Sequence, residues 1–118
     1  MKSIEIVSIP VTDQQVAKQF YLKLGFELIT EAPFEKGQKW IQMGLPGQAG
    51  TSITLVTWFP NMPAGSVNGF VIKTDDVAKD LEAFTSEGLN VGTIEQTPWG
   101  KFLSVTDPDG NRFSFHQN

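Results

Sequence analysis

The sequence predicts an α+β fold: two tandem βαβββ modules forming a half-barrel, with a helix on the outer face of each. Three observations carry that prediction. The first is an internal repeat. Ile9-Pro10-Val11-Thr12-Asp13 opens a helical stretch that closes on Gly25-Phe26, and Ile72-Lys73-Thr74-Asp75-Asp76 opens another that closes on Gly88-Leu89. The copies lie 63 residues apart, and in each an acidic residue precedes the glycine by 12. A repeat of this kind marks a duplicated supersecondary unit. The second is the apolar spacing, which has period two before each acid and helical period after it. The third is that further strand-like runs, bounded by turn residues, follow each helix.

The elements follow in order. Residues 4–11 are apolar at nearly every second position and read as a buried strand. Asp13 supplies the short acceptor side chain that an N-cap needs. Val16, Ala17, Phe20, Tyr21 and Leu24 then form one apolar stripe at helical spacing, and Gly25 takes the C′ place. Residue 26 begins the next strand. The alternating charges of 31–39 read as an exposed loop. Residues 39–45 and 51–57 read as strands, joined by the 44–50 loop with its Pro46-Gly47 turn. In the second half, 69–74 reads as a strand, and Asp75 or Asp76 caps a helix carrying Val77, Leu81 and Phe84 until Gly88 stops it. Residues 89–94, 102–106 and 112–116 complete the set, the last two joined by the Asp107-Pro108-Asp109-Gly110-Asn111 hairpin. The division expected is module one at 1–58, a Pro- and Gly-containing linker at 59–67, and module two at 68–118.

Composition narrows the function classes. A chain of 118 residues with 40% hydrophobic and 19% charged residues reads as one globular domain. It has no cysteine, so disulfides, thiolate nucleophiles and zinc–thiolate sites are excluded. Nine Lys and Arg are scattered among thirteen acids for a net charge of −4, without the clustered basic face that nucleic acid demands. No apolar run approaches the roughly 20 residues that span a bilayer. The start of the chain runs directly into a strand pattern rather than a leader, so the expected location is cytoplasmic.

A βαβββ unit has one helix and two sheet faces. The uncovered face is the natural wall of a pocket. By alternation Ile6, Ser8, Ser52, Thr54, Val56, Gly69, Val71, Ser114 and His116 belong to that concave side. Val7, Ile9, Ile53, Leu55, Phe70, Ile72, Phe113 and Phe115 belong under the helices. The concave set is small, mixed and uncharged, which suits an organic ligand. Trp58 and Phe59, where the chain leaves the sheet, and Trp99 and Phe102, around the turn into a later strand, supply flat walls for stacking. Trp40, in mid-strand, reads as core. Lys73 and Arg112 read as strand-end or turn residues. His116, the chain's one histidine, reads either as a solvated strand end or as a group that orients a ligand or acts as a base.

With these residues in place the chain resembles the vicinal oxygen chelate superfamily, which includes glyoxalase I, extradiol dioxygenases, and fosfomycin- and bleomycin-resistance proteins. The resemblance spans the whole chain. It rests on Ile9-Pro10-Val11-Thr12-Asp13 with Phe20-Tyr21 and Leu24-Gly25-Phe26, then on Pro98-Trp99-Gly100 and Asp107-Pro108-Asp109-Gly110-Asn111-Arg112-Phe113. It implies four metal-ligand positions, which here carry Ile6, Thr54, Gly69 and Ser114, a set without imidazole or carboxylate. The reading is therefore a protein with no cofactor, no metal and no catalytic residue. It binds or sequesters a small organic molecule as the bleomycin-resistance branch does, as a homodimer. The ligand contacts expected are Ile6, Ser8, Thr54, Val56, Trp58, Phe59, Gly69, Val71, Trp99, Phe102, Ser114 and His116. The alternative is a glyoxalase- or dioxygenase-like enzyme working without the usual ligands, with His116 as base.

Overall fold

A computed structural model of the chain describes residues 1–47 and 50–118, so Gln48 and Ala49 of the 44–50 loop lie outside the described residues. Its element order is β1 (Ile6–Pro10), α1 (Gln14–Leu24), β2 (Glu27–Pro33), a short 3₁₀ turn (Glu35–Gly37), β3 (Lys39–Gly44), β4 (Ser52–Val56), β5 (Asn68–Lys73), α2 (Val77–Ser86), β6 (Asn90–Val91), β7 (Glu95–Thr97), β8 (Gly100–Thr106) and β9 (Arg112–Gln117). The strands make two open sheets, ordered β1-β4-β3-β2 and β5-β9-β8-β6, with β7 also paired to β8. In each sheet the strand preceding the helix pairs in parallel with the last strand, β1 with β4 and β5 with β9. The duplication in sequence is thus a duplication in topology.

Both helices begin as the acids dictate. The Asp13 carboxylate accepts from the Gln15 and Val16 amides at 2.9 and 3.1 Å, and Asp76 accepts from Lys79 at 3.1 Å, each cap contributing about 1 kcal/mol. Of the two acids in the second copy, Asp76 is the cap. Helix α1 is set on its sheet by Gln14, whose amide donates to the Lys39 and Leu55 carbonyls at 2.7 and 2.8 Å. Ala17, Phe20, Tyr21 and Leu24 face inward, as do Val77 and Phe84 of α2. Ile9, Ile53, Leu55, Ile72, Phe113 and Phe115 are buried beneath the helices and belong to a core continuous across both sheets. Among the described residues no helix is long and apolar enough to cross a membrane.

Three local readings change. Residues 31–39 are not simply a loop. β2 continues to Pro33, and Glu31 lies between Lys18 and Lys39, 2.8 and 3.4 Å away, with Gln15 also donating to it. Hydrogen bonds from Lys18 and Gln15 hold its carboxyl down to about 2. The strand expected over 89–94 is shortened to β6, Asn90–Val91, and a further short strand, β7, follows it at Glu95–Thr97. Gly92 still donates to the Ser104 carbonyl at 2.9 Å, so one interrupted strand runs beside β8. In β5 the register shifts between Asn68 and Phe70. Gly69, at φ 102°, is the extra residue of a bulge, so alternation misplaces it while placing Val71 correctly.

The modules are joined by buried polar contacts as well as by apolar packing. Tyr21 of α1 donates its hydroxyl to Asp107 at 2.9 Å, and its ring lies 6.1 Å from that of Phe113 in β9. Asn111 donates to the Pro10 carbonyl and to Asp107, both at 2.8 Å. Burial, reinforced by the Asp107 charge, pushes the Tyr21 phenol far above its ordinary range, so it remains a donor.

Candidate ligand-binding site

Strand register decides which side chains share the helix-free faces. On the first sheet Ile6 lies beside Ser52, Ser8 beside Thr54, and Thr54 beside Gln42. Trp40 lies two residues before Gln42 on the same face, opposite Ala32 of β2. These polar groups are linked. Gln42 donates to the Ser52 hydroxyl at 2.8 Å and accepts from the Trp40 indole at 3.3 Å, while the Thr54 and Ser8 hydroxyls stand 3.4 Å apart. Ser52, Thr54 and Val56 are buried on this face. Gln42 is the member that sequence reasoning left out, since it shares the parity of Trp40, which read as core; its pairing with Thr54 places it here.

Trp40 is not core beneath the helix. It packs on the opposite face, its ring 6.4 Å from Trp58 and 5.9 Å from Phe34. Phe34 lies 4.7 Å from Trp58, and Phe59 lies 6.2 Å from Trp58. Four aromatics from β2–β4 and their connections therefore form one cluster, and its outer members stay open, Phe34 at 40% and Phe59 at 45% exposure. A hollow of about 350 Å³ adjoins it, lined by Phe34, Glu35, Lys36, Gln38 and Trp58. Lys36 sits there with φ 57°, a left-handed conformation uncommon for a residue with a side chain. Trp58 and Phe59 were legible as a pair. Phe34 was not, because it lies in a turn without periodicity and meets Trp58 only through the tertiary fold.

On the second sheet the helix-free face carries three rows: Asn68, Arg112 and Thr106; Val71, Ser114 and Ser104; Lys73, His116 and Phe102. His116 is half-buried rather than a solvated strand end. Its ring stacks on Phe102 with centroids 4.5 Å apart, and Nε2 lies 2.8 Å from the Trp99 carbonyl oxygen. A carbonyl only accepts, so Nε2 is the donor in this contact. The Trp99 ring is 77% exposed, so its main chain rather than its indole enters this arrangement.

Within the chain, then, Ile6, Ser8, Thr54, Val56, Trp58 and Phe59 gather on or beside the first sheet. Val71, Phe102, Ser114 and His116 gather on the second. The four positions implied for metal ligands hold an alkyl group, two hydroxyls and a bulge glycine. Among the described residues no three His, Cys, Asp or Glu side chains gather to hold an ion, so the donor set does not fit a divalent metal.

The family follows from these elements together. Residues 3–115 match the model of the Glyoxalase/Bleomycin resistance protein/Dioxygenase superfamily, and the chain belongs to it. Among solved structures it is similar to TnmS3, an antibiotic binding protein from Streptomyces sp. CB03234 (40% identity, TM-score 0.93, covering 99% of this chain and 96% of that one). It is also similar to a glyoxalase/bleomycin resistance protein from the same strain (41% identity, TM-score 0.87, covering 98% and 100%). Among curated proteins it is 30% identical to YetH of Bacillus subtilis (strain 168), over 96% of each chain.

Proposed function

We propose that this protein binds a planar aromatic small molecule of the antibiotic or secondary-metabolite kind and holds it without turning it over. The observation that carries this reading is the Phe34–Trp40–Trp58–Phe59 cluster, a partly open set of flat rings beside a hollow and a strip of hydroxyl and amide groups. Stacking on such rings contributes about 0.5–1.5 kcal/mol each beyond the area covered. Gln42 and Ser8, the half-buried members of the polar strip, orient a ligand through neutral hydrogen bonds, backed by the buried hydroxyls of Ser52 and Thr54. The 40% identity to an antibiotic binding protein supports the same reading. The only imidazole is tied to a backbone carbonyl, and the chelating positions have no competent donors. Both favour holding over chemistry.

Two of the chain's three tryptophans lie in the cluster, so the test is optical. Titration with a panel of fused-ring aromatics is expected to quench tryptophan fluorescence, and a ligand at 100 times its Kd is expected to stabilise the fold by about 2.7 kcal/mol. Trp58→Ala is expected to weaken binding by about 10- to 100-fold. A panel in which no compound quenches or stabilises removes the proposal.

The binding unit we propose is a dimer. β1 and β5 are each at the edge of a sheet, and Ile4 and Val71 beside those edges are 69% and 53% exposed. A groove of about 560 Å³ lies there, lined by Ile4, Val7, Phe26, Phe70 and Ile72 among others. Of the four sheet edges, β1 and β5 are the two beside this groove, and a copy of the chain closes on them about a twofold axis, setting β1 of one against β5 of the other. Sedimentation equilibrium is expected to give twice the 13.0 kDa chain mass, and a monomer at micromolar concentration sinks this part.

A further inference from the structure

We propose that the helix-free face of the second sheet is an anion subsite, so that the ligand is an aromatic acid: a planar ring system bearing a carboxylate or an equally acidic group. This rests on the planar-ligand reading above and adds the charge that the ligand must carry.

Most acids in the second half of the chain lie away from this face, while the four cations there are divided, with Lys79 on α2 and Lys101 at the opposite parity to Phe102 in β8. Asp75, Asp76, Asp80, Glu82 and Glu87 lie on α2 or next to its ends, and α2 covers the other side of the sheet through Phe84 on Phe115. Asp107 and Asp109 are engaged at the hairpin, accepting from Asn111, Tyr21 and Thr12. The helix-free face instead carries Lys73 and Arg112, with Glu95, paired to Phe102, at its far rim. A chain with thirteen acids and nine cations thus presents a locally cationic face. Among the described residues the ion pairs are Lys18–Glu31 and Lys39–Glu31, so neither Lys73 nor Arg112 has a carboxylate partner.

The floor between these cations is suited to an oxyanion. Ser114 and Ser104 are direct neighbours in the row between Arg112 and His116. The Arg112 guanidinium leans over that floor, 3.4 Å from the Ser104 hydroxyl. Lys73 stands beside His116, four residues along β9 from Arg112, or about 13 Å at 3.3 Å per residue. Both side chains are long enough to converge on one group held over the serines. Phe102 flanks the same floor, giving the ligand's ring an apolar border. The first sheet's strip is built from hydroxyls and an amide, and the cation beside its aromatics, Lys36, shares their hollow with the Glu35 carboxylate. The two halves of the duplication have diverged into a stacking face and a charge-reading face.

The test uses a matched pair of probes, anthracene-2-carboxylate and anthracene-2-carboxamide, titrated against the intact protein. The acid is expected to bind at least about tenfold more tightly at low salt, with the preference shrinking several-fold as ionic strength is raised to about 0.5 M. The double variant Lys73→Met/Arg112→Met is expected to lose the preference while keeping its affinity for the amide. Lys79→Met, which removes a cation from α2, is expected to keep the preference, and Lys73→Arg to preserve it. Equal binding of acid and amide overturns this proposal and leaves the planar-ligand reading intact. A preference that survives in the double variant also overturns it, because the anion then sits elsewhere. If neither probe binds in any form, both proposals fall together.

Discussion

Asp107→Ala is expected to destabilise the fold by about 3–5 kcal/mol and to lower Tm by about 10–25 °C, a large part of the roughly 6–18 kcal/mol available to a chain of this length. The side chain is 3% exposed and receives four hydrogen bonds. One oxygen accepts from the Asp109 and Asn111 amides at 3.0 and 2.9 Å, the other from the Tyr21 hydroxyl and the Asn111 side chain at 2.9 and 2.8 Å. Alanine would strand buried donors on both modules. Asp107→Asn separates the two halves of that cost. It can keep one acceptor oxygen for the backbone amides, but it turns an NH₂ toward the hydroxyl and amide donors of Tyr21 and Asn111. A loss of about 2–3 kcal/mol is expected for it. Tyr21→Phe, which leaves the carboxylate three of its partners, should cost about 1–3 kcal/mol. Chemical denaturation of the three variants measures all of this. If Tyr21→Phe and Asp107→Asn add independently when combined, the hydroxyl–carboxylate bond across the modules is not the coupling it is taken to be.

The same residues show how far a sequence can be read. Asp107-Pro108-Asp109-Gly110-Asn111 is legible as a hairpin because turn chemistry is local, and the structure keeps it as one. Its longer-range task is not local. Nothing in the spacing says that the carboxylate is buried, or that the chain's one tyrosine, on an apolar helical stripe 86 residues away, points its hydroxyl there. The two helices and the paired β topology were legible because caps, stop residues and apolar periods agree with one another. The bulge at Gly69 was not. A register shift breaks the alternation from which faces are assigned, and it changes no residue type.

The helix-free faces divide in the same way. Ser8, Thr54, Ser114 and Val71 follow from alternation alone, since a strand has only two faces. The aromatic cluster does not. Trp40 in mid-strand looks like core by its size and apolar ring, yet it faces away from the helix, because Met43, three residues on and so on the other face, is the β3 residue paired with Ile53. Phe34 enters through the conformation of the Glu35–Gly37 turn, which no period describes. His116 could be weighed only as an isolated imidazole until Phe102 and the Trp99 carbonyl stood beside it.

Gly65→Ala is expected to be nearly as damaging as the loss of Asp107, although Gly65 lies in a stretch that reads as linker. The segment is a strap rather than a tether. Gly65 donates to the Pro10 carbonyl at 3.2 Å, Val67 donates to the Asn111 side chain at 3.0 Å, and the Val67 carbonyl accepts from Arg112 at 2.9 Å. A Cβ at Gly65 would stand 2.1 Å from the Asp109 carbonyl oxygen and 3.0 Å from its carbon. Both obstacles are backbone, so no rotamer change relieves them. The residue also has φ 83°, which costs an alanine about 1–2 kcal/mol by itself. The strap must lift, and with it go the Pro10 contact and the fit against the hairpin that Thr12 also grips, for a total of about 3–5 kcal/mol. Gly37→Ala provides the control. It has φ 76° and nothing within 4 Å of the added carbon, so it should show the backbone term alone. A Gly65→Ala protein that melts no lower than Gly37→Ala would mean that the crossing between the modules is loose, and that apolar packing with the Tyr21–Asp107 contact suffices to hold the halves together.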